Sequence, residues 1–105
     1  MGQFAVYKNK NPRTKSGFPL LVDVQTDLLE DLQTRVVIPL TRAAAPTRNP
    51  MNQLTPLIAY EGEHYLLMTP LLAGVSRSDL GSEAGSLLVN SGVVPAAMDF
   101  LLVGF

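Results

Sequence analysis

The chain has 105 residues, which is the length of one domain, and its 47% apolar content is enough for a hydrophobic core. We therefore treat residues 1–105 as a single domain. The balance of 8 Lys and Arg against 9 Asp and Glu excludes a simple nucleic-acid-binding protein, which needs an excess of basic residues. The absence of cysteine excludes a disulfide framework, and a single histidine excludes a multi-histidine metal site.

The mean hydropathy of +0.20 leaves few polar residues to cover the surface of so small a body. Exposed apolar patches on such domains usually mark partner interfaces, so we expect a homo-oligomer. The N-terminus lacks the layout of a signal peptide, and no apolar run reaches the roughly 18–20 residues that span a bilayer. We expect a cytoplasmic protein without membrane contact.

Period-two alternation predicts three strands in the first forty residues, at 3–8, 18–25 and 34–40. The polar segment 8–17 is typical of a hairpin loop between the first two strands. Pro39 predicts an edge position or a strand end for the third strand, because proline cannot donate to the ladder. An acidic, leucine-rich connection, 26–33, lies between the second and third strands.

The next part of the chain contains a long loop and a second hairpin. Residues 41–54 hold two prolines and two asparagines, which indicates a surface loop. Strands are then predicted at 56–60 and 64–69, around a turn at 61–63. A short further strand is predicted at 71–75.

Apolar residues at helical spacing predict a C-terminal helix. Its main stripe consists of Val94, Ala97, Met98, Leu101, Leu102 and Phe105, and a second stripe of Val93, Ala96, Phe100 and Val103. Ser91 is the predicted N-cap, and Pro95 falls in the first turn, where a missing N–H costs least. Antiparallel strands closed by one helix give a mainly β or α+β fold.

No motif for catalysis, phosphate binding or metal binding is present, so we expect no catalytic residue, metal or cofactor. Asp23 stands between two valines of a strand; it is predicted to be half-buried and to need a partner, for which Arg35 is the candidate. A structural ion pair is favoured over a catalytic carboxylate.

The predicted first hairpin loop is strongly basic. Four cations lie in it or at its start without an intervening acid: Lys8, Lys10, Arg13 and Lys15. Two interpretations stay open for this segment, a solvated hairpin tip and a contact with an acidic partner.

Six segments stand in a characteristic order: QFAVYKNK (3–10), LLVDVQTDLL (20–29), RVVIPL (35–40), LTPLI (54–58), LLMTPLLAGV (66–75) and AAMDFLLVGF (96–105). This series resembles the CcdB family, the toxins of plasmid and chromosomal toxin–antitoxin pairs. The resemblance implies an SH3-like barrel of antiparallel strands with a C-terminal α-helix, as in the CcdB, MazF and Kid toxins. It also implies a homodimer.

The function implied by this resemblance is binding, not catalysis. A CcdB-like dimer inserts into the DNA gyrase A subunit dimer and traps the gyrase–cleaved DNA complex, as in plasmid maintenance systems. A CcdA-like antitoxin removes the toxin from gyrase, and the toxin–antitoxin complex represses its own operon. The toxin would then meet operator DNA only through the antitoxin complex.

The family's contact positions carry over residue by residue. The implied gyrase-binding residues are Leu28, Leu29, Asp99, Val103, Gly104 and Phe105. Leu28 and Leu29 stand where a pair of isoleucines is familiar, and Val103 stands where the best-known member has a tryptophan. The implied dimer residues are Met98, Leu101 and Leu102, and the basic segment suggests antitoxin contacts at Lys8, Lys10 and Arg13.

Two alternative functions stay open. The first is a toxin-derived dimer that binds the antitoxin but poisons gyrase weakly or not at all, which Val103 and Pro95 motivate. The second is a MazF/Kid-like endoribonuclease, for which Arg35, Asp23 and His64 are the candidate catalytic residues.

Overall fold

A computed structural model describes residues 3–25, 27–29, 31–43, 54–87 and 92–104. Within these ranges it contains seven strands, three short 3-10 helices and one α-helix. The strands are β1 (Ala5–Asn9), β2 (Leu20–Asp23), β3 (Thr34–Ala43), β4 (Leu57–Tyr60), β5 (Glu63–Leu67), β6 (Ala73–Ser76) and β7 (Leu80–Ser86). The 3-10 helices are η1 (Asp27–Leu29), η2 (Thr69–Leu71) and η3 (Arg77–Asp79), and the α-helix is α1 (Val93–Val103).

All strand pairs are antiparallel, in the order β4-β5-β3-β2-β1-β7, and β6 pairs with β3. The sheet curls into a half-barrel. The Tyr60 hydroxyl of β4 occupies the space that a side chain at Gly85 of β7 would need, so the two ends of the strand order approach each other. The predicted α+β fold of antiparallel strands with a C-terminal helix is confirmed.

The edge position predicted for Pro39 is wrong. β3 is a central strand, and it changes partner along its length: residues 34–37 pair with β6 and residues 40–43 with β5. Pro39 lies between these two stretches. Its carbonyl accepts from the Met68 backbone N–H at 2.9 Å, so its missing N–H faces the gap where the neighbouring strand changes. Proline is tolerated there because no ladder bond is lost.

Two cores form on opposite faces of the sheet because side chains alternate along each strand. The larger core lies under α1 and includes Val22, Ile38 and Leu40 from the strands and Val94 and Ala97 from the helix. The smaller core lies on the other face, and its buried members are Ala5, Tyr7, Leu21, Val37 and Leu80.

The turn predicted at 61–63 is confirmed, whereas the loop predicted at 41–54 begins inside β3, which continues to Ala43, and its residues 44–53 lie outside the described residues. Glu61 and Gly62 both have positive φ, +51° and +79°, which is the geometry of a two-residue β-hairpin turn. The predicted loop start at Lys8 is wrong by two residues, since β1 continues to Asn9. The strand predicted at 71–75 is divided between η2 and β6. β7 was not predicted, because its Gly- and Ser-rich sequence carries no apolar alternation.

The helix begins with Gly92 as its N-cap, without a side-chain cap bond, which corrects the prediction of Ser91. Ser91 itself lies outside the described residues. Pro95 is the third helical residue, so its predicted place in the first turn is confirmed. Gly104 ends the helix with φ +85°, and its N–H donates to the Phe100 carbonyl at 3.0 Å. Among the helices in the described ranges, none has the length and apolarity to cross a membrane.

Candidate functional site

A buried ion pair joins β2 to β3. The Arg35 Nη2 and Nε groups donate to Asp23 Oδ2 at 2.6 and 2.9 Å, and neither residue is exposed. The predicted pairing is confirmed, but Asp23 is completely buried, not half-buried. Its other oxygen accepts from the Gln25 backbone N–H at 3.0 Å. Arg35 Nη1 has no hydrogen-bond partner within the described ranges.

The three candidate ribonuclease residues do not converge. Asp23 and Arg35 are enclosed and bonded to each other, so solvent does not reach them. His64 pairs with Ala43, eight residues along β3 from Arg35, which is about 26 Å of extended strand. The described geometry therefore does not assemble an acid–base pair from these side chains. Within the described ranges no three residues of a metal-binding type gather.

The connection between β2 and β3 exposes three leucines. Leu28 is 91% exposed, and Leu29 and Leu32 are each 48% exposed. The Leu32 N–H donates to the Leu29 carbonyl at 3.1 Å, which places Leu32 beside η1. Sequence reasoning selected Leu28 and Leu29 but missed Leu32. The sequence signal that could have identified Leu32 is a single apolar residue between acidic and polar neighbours.

The Gln25 side chain holds this connection in place. Its Nε2 donates to the Leu29 carbonyl at 2.9 Å, while its Oε1 accepts from the Val36 N–H at 3.1 Å. Gln25 is only 8% exposed, and both bonds are partly buried. The exposed turn is thereby fixed to the buried end of the sheet.

The end of α1 forms a second exposed apolar surface. Leu102 is 73% exposed, Val103 59% and Leu101 37%, while Met98 packs against the large core. Asp99 and Gly104 are also exposed. Of the three predicted dimer residues, Met98 therefore packs against the protein's own core, whereas Leu101 and Leu102 face outward. Phe105 lies outside the described residues.

The basic segment is a structured loop beside an open groove. The Asn9 side chain donates to the Phe18 carbonyl and to the Thr14 hydroxyl, both at 2.9 Å. Lys10 Nζ donates to the Ser78 carbonyl at 3.1 Å, which ties the loop to η3. The groove, of about 210 Å³, is lined by both segments and by the sheet between them.

Burial raises the pKa of the Tyr7 hydroxyl, and the negative charges of Glu83 and Asp23 raise it further. Burial also raises the pKa values of Tyr60 and Tyr65. The neutral form of each tyrosine is thus favoured by the fold.

At the surface, Arg42 Nε lies 3.3 Å from Glu63 Oε2.

Comparison with known protein families gives a match to the family described as CcdB protein, over residues 3–104. The match includes both exposed apolar surfaces and the basic loop. Phe105 is the one carried-over position beyond it.

Proposed function

The chain belongs to the CcdB family, whose members are toxins of toxin–antitoxin systems, and on this premise we propose that it binds the DNA gyrase A subunit and traps the gyrase–cleaved DNA complex. The observation that carries the proposal is the exposure of the η1 leucines, above all Leu28 at 91%. A group of exposed apolar side chains, here Leu28, Leu29 and Leu32, marks an interaction surface.

The contact surface combines the two apolar regions. We assign gyrase contacts to Leu28 and Leu29 on η1 and to a second group at the end of α1. This second group consists of Asp99, Val103, Gly104 and Phe105. A homodimer formed through the outward-facing Leu101 and Leu102, with the partly buried Met98 beneath them, presents both regions twice, which suits a target that is itself a dimer.

Poisoning of this kind needs no covalent step by the toxin. A protein that binds gyrase more tightly when the DNA is cleaved shifts the population toward that state by its difference in affinity. A CcdA-like antitoxin that prefers the free toxin reverses this shift. In the proposed scheme the toxin–antitoxin complex also binds operator DNA and represses the operon.

The direct test is a cleavage assay with purified gyrase, supercoiled DNA and the purified chain, in which trapped complexes are released by detergent and protease. We expect linear DNA to accumulate with added protein and to disappear when the antitoxin is added first. Binding to the gyrase A dimerisation region is measured in parallel by calorimetry. Failure to bind at high micromolar concentration contradicts the proposal.

A second candidate function is an antitoxin-binding dimer with weak gyrase poisoning. The observation that favours it is Val103, which is 59% exposed but offers a small aliphatic side chain where a tryptophan is familiar. Aromatic anchors dominate interface hot spots, so their loss weakens binding. Tight antitoxin binding together with absent DNA cleavage would select this candidate.

A further inference from the structure

The side chain of Gln25 completes the ladder between β2 and β3 at the point where the backbone bonds end. In an antiparallel pair, two opposite residues can exchange both N–H···O=C bonds. The Val24 N–H donates to the Val36 carbonyl at 3.0 Å, but the Val36 N–H donates to Gln25 Oε1 at 3.1 Å. The Val24 carbonyl accepts from the Gln3 side chain at 3.2 Å. The amide oxygen of Gln25 therefore takes the place of a backbone carbonyl in the ladder.

The other end of the same amide fixes the Leu29 carbonyl. This oxygen accepts from Gln25 Nε2 at 2.9 Å and from the Leu32 N–H at 3.1 Å. A carbonyl oxygen has two lone pairs, so these two bonds use its full acceptor capacity. The first bond ties η1 to the sheet, and the second closes the turn from Leu29 to Leu32. The orientation of this carbonyl, and with it the placement of the two half-exposed leucines, thus depends on the Gln25 amide.

Gln25 acts on the exposed leucines from inside the fold. It is 8% exposed, so it offers a partner almost no surface of its own. Its backbone N–H donates to Asp23 Oδ1 at 3.0 Å, which joins it to the buried ion pair. The two side-chain bonds need one donor and one acceptor on the same terminal group. A carboxylate at this place would only accept, and an apolar side chain would make neither bond.

We propose that Gln25 is a positioning residue of the partner-binding surface, whose amide orders η1 so that Leu28, Leu29 and Leu32 meet the gyrase A subunit as one preformed surface. The inference rests on the proposed function, because it names gyrase A as the partner. A surface that is ordered before binding loses less conformational entropy when the complex forms. Gln25 thereby raises the affinity for gyrase A without contacting it.

The test compares the affinity of full-length variants for the gyrase A dimerisation region by calorimetry. Gln25→Met keeps the length of the side chain and removes both bonds, and we expect affinity to fall about five- to tenfold. Gln25→Glu keeps the acceptor for the Val36 N–H but places a second oxygen against the Leu29 carbonyl. At pH 8 we expect a loss at least as large as that of Gln25→Met.

Acidic pH separates a positioning role from a merely structural one. At pH 5 the carboxyl introduced by Gln25→Glu can bind a proton and donate it to the Leu29 carbonyl, since burial favours the neutral form. Its loss of affinity should then shrink to less than about threefold, while that of Gln25→Met stays constant. The unmutated chain, measured at each pH, corrects for every other titrating group.

Ile58→Val is the stability control. It removes one methyl group from the large core on β4, a strand that pairs with β5 and not with β2 or β3. The urea midpoint should fall because a small cavity is left, but gyrase A affinity should stay within about twofold of the unmutated chain. Exchange of the Leu32 amide proton, followed by magnetic resonance, should be faster in Gln25→Met and unchanged in Ile58→Val. This exchange reports the order of the turn independently of any partner.

Three results would overturn the inference. The first is a Gln25→Met variant that binds gyrase A as tightly as the unmutated chain, and the second is an equal loss of affinity in Ile58→Val. The third is a Gln25→Glu variant that acid does not restore relative to Gln25→Met. If the unmutated chain itself does not bind gyrase A, the proposed function is refuted, and the exchange of the Leu32 amide proton then decides alone whether Gln25 orders the turn.

Discussion

The turn between β2 and β3 exposes its leucines, whereas the two charged residues that flank it, Asp23 and Arg35, are buried. Asp23 and Arg35 have no exposed surface, and five residues after Asp23 the side chain of Leu28 is 91% exposed. Folding alone favours the opposite arrangement, since buried charges cost desolvation and exposed leucines gain nothing. Under the proposed function, the charges serve the architecture and the leucines serve a partner.

A chain of hydrogen bonds connects the two regions. Asp23 binds Arg35 and the backbone of Gln25, and the Gln25 side chain in turn binds the Leu29 carbonyl. Hydrogen bonds in buried or partly buried networks are stronger than exposed ones and rigidify the groups that they join. The buried pair thereby positions the exposed turn, which lowers the entropy lost when a partner binds it.

The largest expected effect comes from breaking the buried pair. Asp23→Ala leaves the Arg35 guanidinium buried without its counter-charge, and we expect the free energy of unfolding to fall by about 3–5 kcal/mol. Urea unfolding followed by circular dichroism measures this loss. A decrease below about 1 kcal/mol would mean that the pair is not essential to the fold, and the comparison between the two regions would fail.

Substitution of the exposed leucines should have the opposite effect to Asp23→Ala, because it should weaken partner binding and leave stability unchanged. Leu28→Asp removes an apolar side chain that packs against little of its own chain, so stability should stay within about 0.5 kcal/mol. Affinity for the gyrase A dimerisation region should fall at least tenfold, because a carboxylate replaces an apolar anchor. Calorimetry measures the affinity, and Ala59→Asp on exposed β4 is the control. Unchanged gyrase binding would remove η1 from the proposed interface.

The stability of the fold at alkaline pH tests the face of the sheet that contains the Asp23–Arg35 ion pair. The folded-state pKa of Tyr7 lies above its ordinary value near 10 through burial and the charges of Glu83 and Asp23. The folded chain therefore retains a proton that the unfolded chain releases. The stability that this gives is complete below pH 10 and is lost as pH rises through the folded-state pKa.

We accordingly expect the free energy of unfolding to decrease above pH 10, by at most about 1.4 kcal/mol per pH unit for each tyrosine whose pKa is raised in the folded chain. Tyr7→Phe should reduce this slope while Tyr60 and Tyr65 preserve part of it. Urea titrations between pH 8 and 11 measure the effect in both proteins. An identical slope in Tyr7→Phe would show that the Tyr7 hydroxyl ionises as freely in the folded as in the unfolded chain.

Much of this arrangement was predictable from the sequence. Alternation located β1, β2 and β3, and a lone acid between two valines identified Asp23 together with its partner. The role of Pro39 was not predictable, because it depends on β3 changing neighbours, which is a tertiary feature. Leu32 was missed for a similar reason: its place beside Leu29 follows from a turn bond and not from any sequence period. The groove unites β1, β3, β6 and η3, which only the folded topology brings together.

A substitution at the C-terminal end of α1 should change gyrase A affinity less than Leu28→Asp does. Val103 is 59% exposed, so a larger ring at this position needs no repacking of the core. Val103→Trp should leave stability unchanged and tighten gyrase A binding about three- to tenfold, because an aromatic ring is a stronger anchor than valine. Growth arrest on induced expression should strengthen in parallel. Val103→Leu, a smaller apolar enlargement, is the control, and equal affinities for the two variants would show that the gain does not depend on an aromatic ring.

The smallest expected effect comes from the exposed ion pair, and it tests whether burial or charge pairing explains the first prediction. Arg42 and Glu63 lie 3.3 Å apart, but their side chains are 66% and 54% exposed. Water and salt screen such pairs, and ordering two long side chains offsets the attraction. Arg42→Ala should therefore leave the urea midpoint unchanged within error, at low and at high salt. A loss comparable to that of Asp23→Ala would show that charge pairing itself, and not the enclosure of Asp23 and Arg35, stabilises this sheet.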